Sequence, residues 1–83
     1  MARQHHTVPR EDRAEGWDPK AYSDARIRAG MTWQRLVEAL RNAGVEVSMS
    51  TVHRYSTPGQ SPPAWLVSPL ARALKVRKRD LLV

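Results

Sequence analysis

Stop and start signals recur along this chain at intervals that leave room only for brief helices. Asp18 is suited to cap a helix and Pro19 to occupy its first position, where the missing N–H costs nothing. Gly30 can end that helix in a left-handed conformation, and Thr32 can cap the next. Gly44 stops the second, Ser48 sits where a third cap belongs, and Pro58-Gly59 closes the third segment. Between these marks the apolar residues fall at helical spacing. Tyr22, Ala25 and Ala29 do so in the first segment. In the second, Leu36, Val37, Leu40 and Ala43 make an inward stripe, with Arg35, Glu38 and Arg41 facing out. A short extended link, "VEV", leads to "SMSTVHRY", where Val52 and Tyr55 form an i, i+3 apolar pair.

The stretch "PPAWLVSPLARALKV" is apolar at Ala64, Val67, Leu70, Ala71 and Leu74, again with helical period. Pro69 interrupts it, because a proline inside a helix loses a hydrogen bond and clashes with the preceding turn at about 3 kcal/mol. A kink or a restart at Ser68-Pro69 is therefore expected. A last short helix around "KRDLLV" would fold Leu81 and Leu82 back onto the core. The first sixteen residues are polar and non-periodic and read as a flexible arm, which leaves residues 17–83 as the folded domain. The sum is an all-α domain of four to five short helices with no strands.

At 83 residues the chain makes one small domain, a size that buries only about 60% of its unfolded surface. It has no cysteine, which excludes disulfides, zinc-thiolate sites and thiol chemistry and fits a reducing cytoplasm. "MARQHHTVPR" has no apolar core of a signal peptide, and "AWLV" is far too short to span a membrane. The formal net charge is +6, and its distribution is uneven. Within residues 1–20, Arg3, Arg10, Arg13 and Lys20 are cancelled by Glu11, Asp12, Glu15 and Asp18. All of the excess therefore lies in residues 21–83. An anionic partner follows, with nucleic acid ahead of a membrane surface.

The order of short helices, with small residues before the third, is the pattern of a helix-turn-helix DNA binder. From Tyr22 to Leu82 the chain resembles the Cro/phage-repressor (xenobiotic-response-element type) helix-turn-helix family. The matching pieces are "ARIRAGMTWQRLVEAL", "VSMSTVHRY", a loop bearing Gly and Pro, and "LARALKVRKRDLL". "RNAGVEVS" is longer than the usual link and implies an extended second helix, as in some actinobacterial members. Other departures are Trp33 where the family usually has Gln, and Tyr55-Ser56 where it usually has Trp-Glu. The loop "STPGQSPP" lacks the Lys or Arg that often touches phosphate there. The resemblance implies a lambda-repressor-like bundle whose helix 48–56 enters the major groove. It also implies a homodimer on a two-fold operator, with half-sites about one helical turn apart.

On that reading the base-reading positions are Met49, Ser50, Thr51, His53 and Arg54. Arg54 can take guanine O6 and N7 as a bidentate pair, and otherwise would hold a phosphate or stand solvated. Met49 can meet a thymine methyl or pack internally, Ser50 is a permissive donor or acceptor, and His53 suits solvent or phosphate better than a base. Thr32, Trp33, Gln34 and Arg35 form a phosphate-facing helix start. There the Trp33 indole N–H is either a donor or part of the core. Ser48 is a cap that could also touch phosphate. Trp65, Leu66 and Leu82 are candidates for the dimer contact. "KVRKRD" reads as a solvated face, and the balanced charge of the N-terminal arm points to disorder rather than groove binding.

His5-His6 is too isolated for a metal site, and Ser, His and Asp are nowhere placed as a catalytic set, so neither cofactor nor enzymatic activity is expected. The leading expectation is a sequence-specific transcription regulator, a repressor or Cro-like switch acting in the cytoplasm on double-stranded DNA. Two others stand beside it: a DNA-binding antitoxin that sequesters a small protein partner, and a helix-turn-helix-derived interaction module.

Overall fold

A computed structural model describes residues 13–83. Arg3, Arg10 and the His5-His6 pair lie outside the described residues. The architecture is an all-α bundle: α1 (Pro19–Arg28), α2 (Trp33–Asn42), α3 (Met49–Arg54), α4 (Ala64–Leu74) and a closing 3-10 helix (Lys78–Leu81). Among the described residues extended pairing is limited to two isolated antiparallel bridges, Arg13 with Pro63 and Trp17 with Leu82. No helix among them is long and apolar enough to cross a membrane.

The punctuation read from the sequence works as capping chemistry. The Asp18 carboxylate accepts the N–H groups of Lys20 at 3.1 Å and Ala21 at 3.2 Å. Thr32 Oγ1 accepts that of Arg35 at 3.0 Å. Each bond satisfies an amide that the first helical turn leaves without a partner. Gly44, at φ +87°, takes the left-handed conformation that ends α2. The core is made by Tyr22 of α1, Leu36 and Leu40 of α2, Val52 of α3, Leu66 and Leu70 of α4 and Leu81, all at 1% exposure or less. Ala29 and Ala43, expected on the inward stripes, are exposed instead. Each is the C-cap of its helix, where the chain is already turning away.

Three boundaries differ from the sequence reading. The third helix is shorter than 48–56, because Tyr55 and Ser56 form the turn that leaves it. α4 runs unbroken through Pro69, with no restart at Ser68-Pro69. Leu66, Val67, Leu70, Ala71 and Leu74 are buried on both sides of the proline. At about 1.5–3 kcal/mol for each fully buried Val or Leu, that packing outweighs a proline penalty of about 3 kcal/mol. The third difference is at the N-terminus, where residues 13–16 belong to the fold and not to a free arm. The Ala14 N–H donates to the Pro62 carbonyl at 2.9 Å, the Asp18 N–H to the Leu81 carbonyl at 3.0 Å, and Val83 N–H to the Gly16 carbonyl. Trp17, 8% exposed, supplies the burial that makes this segment adhere.

Candidate functional site

α3 is a helix of six residues, too short to persist alone in water. Its start is fixed by a hydroxyl cluster. Ser48 Oγ accepts the Thr51 N–H at 3.2 Å and donates to Thr51 Oγ1 at 2.8 Å, while Ser50 Oγ lies 3.2 Å away. Ser48 is thus the cap. Thr51, half-buried with its hydroxyl engaged, is turned toward that cluster. Val52 and Tyr55 face the core. Met49, Ser50, His53 and Arg54 are exposed, and together they form the outward face of the helix.

The other end of α3 is held by donors from far along the chain. The Tyr22 hydroxyl donates to the Val52 carbonyl at 2.8 Å, and the Trp17 indole N–H to the Tyr55 carbonyl at 2.8 Å, both in buried surroundings. His53 O accepts from the Ser56 amide and hydroxyl, and Arg54 O from the Thr57 amide. The carbonyls of residues 52–55, which a helix end leaves unpaired, are all satisfied. Burial pushes the Tyr22 phenol well above its ordinary value of 10.0, with Tyr55 adding to the effect and Arg26 opposing it. Tyr55 is pushed up as well by burial, against the pull of Arg54 and Arg13.

The start of α2 lies against this helix. Trp33 stacks at a tilt on Tyr22, with ring centroids 5.4 Å apart, and meets His53 edge to face at 5.4 Å. Trp33 is half-buried and packs against the core. His53 is not simply solvated, since its ring rests on the indole. Thr32, Gln34 and Arg35 are exposed. The Arg35 amide is taken by Thr32, and the first two amides of the helix, those of Trp33 and Gln34, have no intrahelical acceptor.

Arg26 is a residue the sequence reading passed over. Its guanidinium carbon lies 4.3 Å from the centroid of the Trp33 ring, and its Nη1 donates to the Met31 carbonyl at 2.7 Å. Its Nε is buried without a hydrogen-bond partner. The contact joins residues across the Gly30 turn, and helical periodicity carries no signal of it. Trp17 and Tyr22 also escaped notice as supports of α3, because a bond to a backbone carbonyl has no sequence signature.

The expected dimer contacts separate. Trp65 is 64% exposed on the first turn of α4. Leu66, at 1% exposure, is a core residue, since its place in the helix points it inward, and it cannot serve as a surface contact. Leu82 is half-buried, and its backbone pairs with Trp17. In "KVRKRD", Lys75 caps α4 in the left-handed conformation. The Arg77 N–H donates to the Asp80 carboxylate at 2.9 Å and lowers its pKa. Lys75, Arg77, Lys78 and Arg79 are all exposed.

Comparison with family models, with curated proteins and with solved structures finds no match to this chain.

Proposed function

We propose that this chain is a sequence-specific double-stranded DNA-binding regulator of transcription, a repressor or Cro-like switch protein that inserts α3 into the major groove. The observation that carries the reading is the Trp33–His53 contact. It sets a helix start with two free amides beside a helix face bearing Met49, Ser50, His53 and Arg54, in a body that holds the whole positive excess of the chain. A helix N-terminus with free N–H groups suits a phosphate, and an adjacent exposed helix suits base edges.

Within this arrangement Arg54 reads a guanine, Met49 meets a thymine methyl, and Ser50 and His53 contribute polar contacts. The amides of Trp33 and Gln34, with Arg35, hold the backbone, and Arg26 adds a fixed cation behind them. Ser48 and Thr51 serve the site by fixing the start of α3. The protein acts as a homodimer on a two-fold operator, with Trp65 the remaining exposed candidate for the contact.

Selection of bound sites from random duplexes, at two salt concentrations, tests the reading. The wild type should enrich one sequence. Arg54→Ala should relax preference at a single base position, worth about 1–3 kcal/mol. If Arg54 holds a phosphate instead, the same change weakens binding to all sequences and flattens the salt dependence by about one unit. No enrichment with the wild type sinks the proposal.

A further inference from the structure

The geometry points to Trp17 and Tyr22 as positioning residues for α3: an indole N–H and a phenol O–H, both buried, hold the Tyr55 and Val52 carbonyls and so set how the helix presents its outward face. This rests on the DNA-binding reading of that face. Neither residue belongs to the set expected to touch DNA.

Two anchors, Val52 and Tyr55, bury α3 against the core. Apolar burial is non-directional, so these side chains alone leave the helix free to roll and slide on its bed. Hydrogen bonds have preferred angles and lengths, and two of them at separated points remove that freedom. The held carbonyls are three residues apart, about 4.5 Å along the axis. The donors come from α1 and the residue before its cap, a different part of the fold from α2, which packs along the same helix. A base-reading face must be held to within about 0.5 Å of its working geometry, and a six-residue helix cannot do that unaided.

The rings of the two donors also support each other. Trp17 lies at a tilt on Tyr22 with centroids 5.0 Å apart, and edge-on to Tyr55 at 6.4 Å. Continued through Trp33 to His53, the aromatic contacts form an arc from Tyr55, the C-cap of α3, to His53 in its last turn. Ring packing and hydrogen bonding can be separated by experiment, since phenylalanine keeps an aromatic ring at either position and removes the donor.

Trp17→Phe and Tyr22→Phe, each in the full chain, provide the test, with Leu74→Ala, beside Ala25, Arg28 and Met31 at the far end of α1, as a variant that loosens the core and keeps both donors. Amide hydrogen exchange is followed residue by residue, and site selection is repeated on each variant. The Phe variants should exchange faster by roughly five- to tenfold at residues 55–57, the ratio expected for one ordinary hydrogen bond, while α2 changes little. Their selected sites should show weakened preference at several adjacent base positions. Leu74→Ala should speed exchange throughout and leave the preference pattern intact. Unchanged exchange at residues 55–57, or an equal rise in every helix, overturns the proposal, as does an unaltered base preference in a variant whose α3 has loosened. Should Trp17→Phe fail to fold, Tyr22→Phe, which conserves its whole ring, decides alone. If the wild type selects no sequence, the regulator reading fails, and the exchange data still decide whether the two donors hold α3.

Discussion

The Trp33 indole and the His53 imidazole meet edge to face with their centroids 5.4 Å apart, joining the first turn of α2 to the outward face of α3. The same indole carries the Arg26 guanidinium over its ring and rests on Tyr22. One half-buried side chain therefore sets the relation between three helices.

Trp33→Ala should cost about 2–3 kcal/mol in urea unfolding, below the 3–5 kcal/mol typical of a fully buried Trp. On DNA it should lower affinity while leaving the salt dependence nearly unchanged, because no charge is removed. Arg35→Ala should do the reverse, reducing the salt slope by about one unit at little cost to folding. A Trp33 variant that folds as stably as the wild type would show that the aromatic contacts carry little energy.

Ser48→Ala removes the cap and the acceptor of the Thr51 amide together. A loss of about 1 kcal/mol is expected, seen as a lower denaturation midpoint with an unchanged m-value. Ser48→Asp should recover most of it, since a carboxylate also caps and is favoured at a helix start.

Tyr22 makes stability depend on pH at the alkaline end. Its folded-state pKa is raised above the ordinary 10.0, so its contribution is fully present below pH 10 and is lost as the pH rises toward the folded value. Through that window the unfolded chain has released the phenol proton and the folded chain retains it. Unfolding free energy should fall by about 1.4 kcal/mol per pH unit from this group. The difference between the wild type and Tyr22→Phe, measured by denaturant unfolding on either side of pH 10, isolates the effect. Parallel curves would mean that Tyr22 titrates alike in both states.

Lys75 ends α4 at φ 61°, a conformation that glycine adopts without strain. Lys75→Gly should stabilise the fold by about 0.5–1 kcal/mol, the relief of left-handed strain being partly offset by a more flexible unfolded chain. A destabilised variant would show that the lysine side chain contributes more than its backbone costs.

The fold was legible where chemistry is local. Asp18, Thr32 and Ser48 announce their helices because a cap is read within a few residues of the amides it serves. Leu36, Leu40 and Val52 follow from periodicity in the same way. Pro69 misled, because its local penalty is smaller than the burial of the residues around it, and burial is settled by the whole bundle. Leu66 misled for a related reason: in a helix apolar on most sides, sequence does not say which residue faces out. Of the residues expected to read bases, Met49, Ser50, His53 and Arg54 are exposed on α3, while Thr51 is half-buried because its hydroxyl joins the Ser48 cap. The supports of that helix were not legible. Trp17 and Tyr22 bond to main-chain carbonyls 38 and 30 residues away, and Arg26 lies over a ring across a turn.

The seam between the two ends of the fold has a mechanical consequence. Trp17 pairs antiparallel with Leu82, and the Gly16 carbonyl takes the Val83 amide. Because the pairing is antiparallel, Gly16 and Val83 stand at the same edge of it. Tension applied through both ends would load these bonds one after another and peel the seam open like a zipper, instead of shearing them together. On the N-terminal side the Arg13–Pro63 bridge and the Ala14–Pro62 bond would part before Trp17 came free, and α3 would then lose its rear support while the other helices were still packed.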